Sequence, residues 1–314
     1  MKEIIPTVKI TNHAGVSSIK DGMKGNDYSL IERENKPKWI RMTAHQVNKN
    51  FSEIKNSVAD LKLSTVCEEA KCPNRHECWN HGTATVMILG SVCTRDCRFC
   101  SIATGKPKGL DLLEPMRVAH AVKKMELKHV VITSVTRDDL ADGGSQIWAE
   151  TILAVKEMVP EVTVEVLTPD FWGRKKNLTR VLDAKPIVFN HNIETVKRLQ
   201  RSIRSGGKYE RSMDVLRWAS EHSDIKVKSG IMLGLGEREE EVRQTIKDLY
   251  MNGVRLLTVG QYMSPTKNHE PTHRYAEPRE FVELEDYAYE IGFDAVASGP
   301  LVRSSYRADL MVRA

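Results

Sequence analysis

Thr85-Val86-Met87-Ile88-Leu89, a run of β-branched and apolar residues, leads within four positions into Cys93-Thr94-Arg95-Asp96-Cys97-Arg98-Phe99-Cys100. The first stretch reads as a buried strand and the second as a cysteine loop at its carboxyl end. Onward from there, short β-rich runs alternate with helical patterns, which predicts a parallel sheet of repeated βα units. The expected strands are 85–89, 129–133, 163–167, 186–190, 225–233, 254–259 and 294–297. Between them, apolar residues recur at helical spacing over 118–125, 147–159, 178–182, 213–219, 242–251 and 281–291. This alternation predicts an α/β fold: a partial (β/α)6-type TIM barrel with an N-terminal extension and a C-terminal segment covering the barrel mouth.

Barrels of this kind assemble their sites from loops at the carboxyl ends of the strands. The cysteine loop follows the first strand there, and other polar residues fall at matching places: Arg137, Asp138 and Asp139, then Asn190 with His191, then Gln261 with Tyr262. Glu165 and Lys228 interrupt runs of β-branched residues, where a charge is costly unless paired or liganded.

All six cysteines lie between positions 67 and 100, in two triplets: Cys67-x4-Cys72-x5-Cys78 and Cys93-x3-Cys97-x2-Cys100. Three disulfides are one reading, but such frameworks belong mainly to small secreted domains. The polar start of the chain, 1–12, has no compact apolar segment, and runs such as 86–89 are too short to span a bilayer. A reducing cytoplasm without membrane attachment is therefore the expected setting. Structural zinc competes for the first triplet, because His76 and His81 lie beside it. A cubane iron–sulfur cluster needs an outer ligand on each iron, so a cysteine triplet leaves one iron free to bind something else. Two triplets thus suggest two clusters with different fourth ligands.

The formal net charge is +5, and residues 1–66 hold 11 basic against 7 acidic side chains. That arm, marked by Pro6 and Pro37, shows little periodicity before an amphipathic stretch at 43–61, and it reads as a wrapping extension. Its scattered acids and few aromatics argue against a nucleic-acid partner.

With Phe99 before its last cysteine, the second triplet resembles the signature of the radical S-adenosylmethionine (SAM) enzymes. The first triplet, in Cys67-Glu68-Glu69-Ala70-Lys71-Cys72-Pro73-Asn74 and Cys78-Trp79, extends the resemblance to the lipoyl synthases. So do Lys36-Pro37-Lys38-Trp39, Thr136-Arg137-Asp138-Asp139-Leu140, Asn190-His191-Asn192-Ile193-Glu194-Thr195, the stretch from Lys228-Ser229-Gly230 to Glu237, and Arg303-Ser304-Ser305-Tyr306.

The resemblance implies a sulfurtransferase with two [4Fe–4S] clusters, consuming two SAM molecules as it inserts sulfur at C6 and C8 of an octanoyl chain on a carrier lysine. Cys93, Cys97 and Cys100 would hold the cluster that cleaves SAM. Cys67, Cys72 and Cys78 would hold the sulfur-donating one, with Ser305 as its fourth ligand and Ser304 the adjacent alternative. By analogy with the superfamily, Thr133, Ser134, Glu165, Asn190 and Lys228 would contact SAM, residues 234–236 would let the backbone approach its adenosine, and Arg303 would bridge the clusters or hold substrate. Implied partners are the glycine cleavage H protein or a 2-oxoacid dehydrogenase E2 domain, a reduced ferredoxin or flavodoxin, and an iron–sulfur carrier for cluster repair. The expected division is an arm at 1–66, an auxiliary cluster segment at 67–84, the barrel at 85–300 and a terminal segment at 301–314. Another radical SAM sulfurtransferase of the biotin synthase kind would account for one triplet but not for both.

Overall fold

The computed structural model describes residues 9–11, 17–19, 35–40, 49–60, 64–69, 72 and 74–312. Residues 43–48 and 61 of the expected amphipathic stretch, Pro6 and much of the remaining arm lie outside the described residues. Two short strands, β1 (Lys9–Thr11) and β2 (Ser17–Ile19), precede helix α1 (Lys49–Asp60), strand β3 (Ser64–Thr65), and helices α2 (Val66–Glu69) and α3 (Arg75–Asn80). The barrel proper then begins with β4 (Thr83–Ile88), followed by the short β5 (Thr104–Gly105) and helix α4 (Glu114–Lys124). It continues through β6 (His129–Ser134), α5 (Ser145–Met158), β7 (Thr163–Leu167), α6 (Lys175–Asp183), β8 (Val188–Asn190), α7 (Gln200–Ile203) and α8 (Tyr209–Glu221). Strand β9 (Lys226–Leu233), α9 (Glu239–Met251), β10 (Leu256–Gln261), α10 (Pro278–Ile291), β11 (Ala295–Gly299) and α11 (Ala308–Met311) complete it.

The main sheet has the order β11-β10-β9-β8-β7-β6-β4-β3 and is parallel except where β3 pairs antiparallel with β4. It ends in two edges, so the barrel is partial, as the alternation of strands and helices predicts. Every residue of β4 and of β10 is buried, because helices cover one face of a parallel strand and the lumen closes the other. That is why these strands read as continuous apolar runs rather than alternating ones. The crossover helices turn their apolar stripes inward: α5 buries Ile147, Trp148, Ile152 and Val155. Each such side chain contributes roughly 1.5–3 kcal/mol when fully buried. Helix α10 starts on Pro278 behind a capping box of Glu277 and Glu280 and ends at Gly292, whose φ of 115° favours glycine.

Three devices fasten the chain that precedes the barrel. Strand β3 pairs Thr65 with Val86, which pins Cys67 next to β4. Helix α1 buries Phe51, Ile54 and Val58, and Phe51 packs on Trp79 at 5.1 Å between ring centroids. β2 pairs with β5 just beyond the cysteine loop, drawing part of the arm to the same end of the molecule.

The terminal segment joins the same neighbourhood. Asn74 Nδ2 donates to the Leu301 carbonyl at 2.6 Å, while the Tyr306 hydroxyl (3.0 Å) and Arg307 Nη2 (2.8 Å) both donate to Glu77 Oε1. Gly260 has no room for a side chain, since a Cβ there would stand 2.2 Å from the Val302 carbonyl oxygen. Beyond the mouth, Met311 of α11 packs with Val188, Leu256 and Ala295, which begin β8, β10 and β11. The segment therefore lines the mouth and then runs to the opposite end of the barrel. Among the described residues, no helix is long and apolar enough to cross a membrane.

Candidate active site

A cavity of about 820 Å³ opens at the carboxyl ends of the strands, and Cys67, Cys72, Cys93, Cys97 and Cys100 all line it. Cys78, on α3, is not in its wall. The 93–100 loop is folded by its own backbone: Cys100 N donates to the Cys97 carbonyl at 3.0 Å, and Cys93 exchanges bonds with Ala103 and Gly105. Thr136 N and Arg95 N point at Cys93 Sγ, at 3.3 and 3.4 Å.

All six thiols are free. Burial pushes Cys67 up to about 11, with Cys72 adding to the effect, and burial followed by Cys72 and Cys67 pushes Cys78 up to about 12. Burial likewise raises Cys72 and takes Cys97 up to about 12, and Cys100 is raised by burial and then by Cys97. The mutual effects sort the thiols into the two triplets seen in the sequence. Such groups become thiolates only when strong positive charge sits among them, which a metal centre supplies. Among the described residues, no three His, Cys, Asp or Glu side chains converge to hold a single ion. The outer thiolates of a multi-iron cluster, by contrast, sit on separate irons.

Arg95 is the strut of the cysteine loop. Its Nε and Nη2 grip Asp138 at 2.7 and 3.0 Å, and its Nη1 and Nη2 grip Asp170 at 3.1 and 2.8 Å. It thereby ties the loop after β4 to the loops after β6 and β7. Burial alone would raise the Asp170 carboxyl, but Arg95 outweighs it and holds the acid down at about 2. His191, fully buried, donates from Nδ1 to the Thr168 carbonyl at 2.8 Å and presents Nε2 to Ser212 Oγ and Arg204 Nη2. Burial and then the Arg204 charge keep its pKa at about 3, so the ring is neutral.

Thr133 and Ser134 line the cavity. Thr133 Oγ1 donates to the Leu167 carbonyl at 2.8 Å, whereas Ser134 Oγ is buried without a hydrogen-bond partner. Glu165, Asn190 and Lys228 do not reach the cavity wall. All three are fully buried, with Lys228 Nζ 3.0 Å and Asn190 Nδ2 3.2 Å from Glu165 Oε1. The reason is strand periodicity: Glu165 and Lys228 lie two residues before Leu167 and Gly230, which do line the cavity, and so occupy the next layer down the lumen. His129 stands at the edge of this cluster, its Nε2 3.9 Å from Glu165 Oε2.

Other expected rim residues are struts. Arg137 holds Asp139 and the carbonyls of Leu89 and Gly109. Gln261 ties three carbonyls together, and the Tyr262 hydroxyl donates to the Glu270 carbonyl at 2.7 Å. Gly234 and Gly236 are outside the cavity wall; a Cβ on Gly234, at φ +98°, would meet Gln261 Nε2 at 2.2 Å. The tight turn there is closed by the Glu237 carboxylate, which accepts from the Gly234 and Leu235 amides.

Asn192, Glu194 and Arg204 line the cavity although charge and periodicity do not single them out. Asn192 Oδ1 is buried without a partner, and burial raises the Glu194 carboxyl against the opposing effects of Arg204 and Asn192. Glu194 has φ 67°, an uncommon conformation for a side-chain-bearing residue. For Asn192 and Glu194 the signal in the sequence was their place in the Asn190–Thr195 motif, immediately past a strand end, whereas Arg204 lies outside that motif and carried no such signal.

Arg303 and Ser304 line the cavity, and Ser305 stands one residue on, within a turn closed by Tyr306 N donating to the Arg303 carbonyl at 2.8 Å. Arg303 favours the ionised form of Cys72, and the Arg307 backbone does the same for Cys78, so the two serines lie between contacts to two members of the first triplet.

Residues 87–249 match the model of the radical SAM superfamily, and residues 11–72 match that of the N-terminal domain of lipoyl synthase of the radical SAM family. The chain is 53% identical over 277 residues to the lipoyl synthase of Rubrobacter xylanophilus, covering 88% of this chain and 86% of that one. To the lipoyl synthase of Legionella pneumophila (strain Paris) it is 50% identical over 306 residues, with 96% and 92% covered. Among solved structures, Streptococcus suis SuiB bound to S-adenosylmethionine aligns with a TM-score of 0.56 at 14% identity, over 71% of this chain and 53% of that one. Methylornithine synthase (PylB) aligns with a TM-score of 0.51 at 16% identity, over 72% and 76%. These two likenesses concern the fold.

Proposed function

This chain belongs to the lipoyl synthase family of radical SAM enzymes, and on that premise we propose that it inserts sulfur at C6 and C8 of an octanoyl chain amide-linked to a lysine of a carrier protein. The observation that carries this reading is the cavity shared by five cysteines of two separate triplets. One [4Fe–4S] cluster would be held by Cys93, Cys97 and Cys100. The other would be held by Cys67, Cys72 and Cys78, with Ser305 or its neighbour Ser304 as fourth ligand. Their fit rests on the donor set: free thiols in two groups of three, with Cys67, Cys72, Cys78, Cys97 and Cys100 raised by burial. When bound with SAM, these groups supply a carbon radical able to take hydrogen from an unactivated C–H bond, and a store of sulfide.

The chain's own residues supply position and enclosure. Arg95 fixes the 93–100 loop against two other strand ends, so its thiols keep one spacing through turnover. Ser134 Oγ and Asn192 Oδ1, buried without partners, offer hydrogen bonds to a polar co-substrate, with Thr133 and Glu194 beside them. Glu165, Asn190 and Lys228 act from the layer below, holding three adjacent strands in register under the cavity floor. The apolar walls given by Met87, Val135 and Ile231 suit an alkyl chain and exclude water.

The same reading divides the chain into a wrapping arm at 1–66, an auxiliary segment at 67–84, a barrel at 85–300 and a closing segment at 301–314. It implies a glycine cleavage H protein or an E2 lipoyl domain as carrier, a reduced ferredoxin or flavodoxin as electron source, a repair carrier for the consumed cluster, and a cytoplasmic setting. The test offers an octanoyl-lysine peptide, SAM and dithionite to the anaerobically reconstituted protein. A mass gain of two sulfur atoms with 5′-deoxyadenosine release is expected. Release of 5′-deoxyadenosine without the mass gain would transfer the chain to another class of radical SAM enzyme.

A further inference from the structure

We propose that the outer flank of the 93–100 loop, formed by the 201–211 segment around Trp172, is the docking surface for an acidic one-electron carrier protein. The proposal rests on the radical SAM reading above, because it presumes that an electron must reach a centre held by Cys93, Cys97 and Cys100.

Only one layer of chain separates that triplet from the outside on this flank. The Ser205 carbonyl oxygen lies 3.9 Å from Cys97 Sγ, and the Ile203 carbonyl accepts from Arg98 N at 2.8 Å. Next along, Gly206 is exposed and so close to the cysteine loop that a Cβ there would stand 3.2 Å from Arg95 Nε. A partner seated here is separated from Cys97 by the 203–206 stretch of chain.

The same layer is strongly basic. Residues 197–211 contain six lysines and arginines against one acid, Glu210. Internal partners account for several of these charges: Lys197 is bound to Glu210, Arg198 to Glu241, Arg211 to Asp170, and Arg204 turns inward to Ser212. Arg201 and Lys208 are exposed. Trp172 is 47% exposed and lies within cation–π reach of two guanidinium groups, Arg95 at 4.9 Å and Arg211 at 4.7 Å. An exposed tryptophan in contact with arginines is the composition of an interface anchor, and a one-sign rim steers an oppositely charged partner and speeds encounter.

None of Trp172, Arg201, Gly206, Lys208 or Arg211 lines the cavity. The flank is therefore the back of the loop whose front faces the substrate space, and a reductant docks there without blocking the mouth. In the transfer, one electron leaves the reduced carrier, which is oxidised by one, and enters the centre at the triplet, which is reduced by one. No bond forms or breaks.

The test compares 5′-deoxyadenosine formation by the reconstituted enzyme driven by reduced flavodoxin with that driven by dithionite. In Arg201→Glu/Lys208→Glu, the apparent KM for flavodoxin rises about tenfold, while the dithionite-driven rate and the iron content stay those of the parent. Added salt raises the parent's KM for flavodoxin only. Should the reversed pair load iron poorly, Arg201→Gln/Lys208→Gln decides, with a smaller rise in the same KM. An unchanged KM for flavodoxin overturns the proposal. So does a raised KM for the octanoylated carrier under dithionite, which would assign this face to the substrate protein. Absence of dithionite-driven SAM cleavage in the parent would instead remove the reading on which the proposal stands.

Discussion

Arg95 Nη2 lies 2.8 Å from Asp170 Oδ1, joining a residue inside the cysteine loop to one 75 positions later in the chain. Through Asp138 the same guanidinium reaches a third strand end. The spacing of Cys93, Cys97 and Cys100 is thus set by a buried charge network as well as by the loop's own backbone.

Asp170→Asn should lower stability at neutral pH by about 2 kcal/mol. The sign follows from the depressed acid: its folded value of about 2 lies below the ordinary 3.8, so its contribution is complete above about pH 4 and is lost as pH falls toward 2. Denaturant melts of parent and variant at pH 7 and at pH 2–4 measure it. Equal acid sensitivity of the two proteins would contradict the assignment.

Lys228→Met strands the Glu165 carboxylate in the barrel lumen, and urea unfolding should show a loss of roughly 3–5 kcal/mol. Lys228→Met with Glu165→Gln should recover much of that loss, because no unpaired charge remains. If the two single effects simply add, the 3.0 Å pair is not coupled in the way its burial requires.

Cys97→Ala should abolish SAM cleavage, whereas Cys72→Ala should still release 5′-deoxyadenosine and deliver no sulfur. Product analysis on the octanoyl-lysine peptide separates the two. Equal 5′-deoxyadenosine yields from both variants would show that the triplets do not divide the labour.

Ser305→Ala should cut sulfur transfer roughly 10–100-fold, the usual range for disturbing a metal's immediate surroundings, and leave SAM cleavage in place. Ser304→Ala should retain most of the transfer. The reverse order would identify Ser304, which faces the cavity, as the fourth ligand.

The strands and helices of the barrel were legible because a parallel strand packed on both faces must be apolar throughout, and a covering helix must carry a stripe. Strands 163–167 and β7 coincide, and the expected strand at 254–259 shifts to Leu256–Gln261 since polar Gln261 still belongs to the buried ladder. The two- and three-residue strands β1, β2, β3 and β5 left no pattern, as a pair of residues has no period to read. Glu165 and Lys228 were legible as charges requiring partners, but not as each other's, because 63 residues separate them.

By itself the sequence determined which thiols form each triplet and which runs become strands, since both depend on neighbours within a few positions. Only the tertiary structure decided that five of those cysteines share one cavity, that Arg95 reaches Asp138 and Asp170, and that Glu165, Asn190 and Lys228 sit one layer below the site. These contacts arise when strands distant in the chain are brought side by side, and burial then forces every charge among them to find a partner.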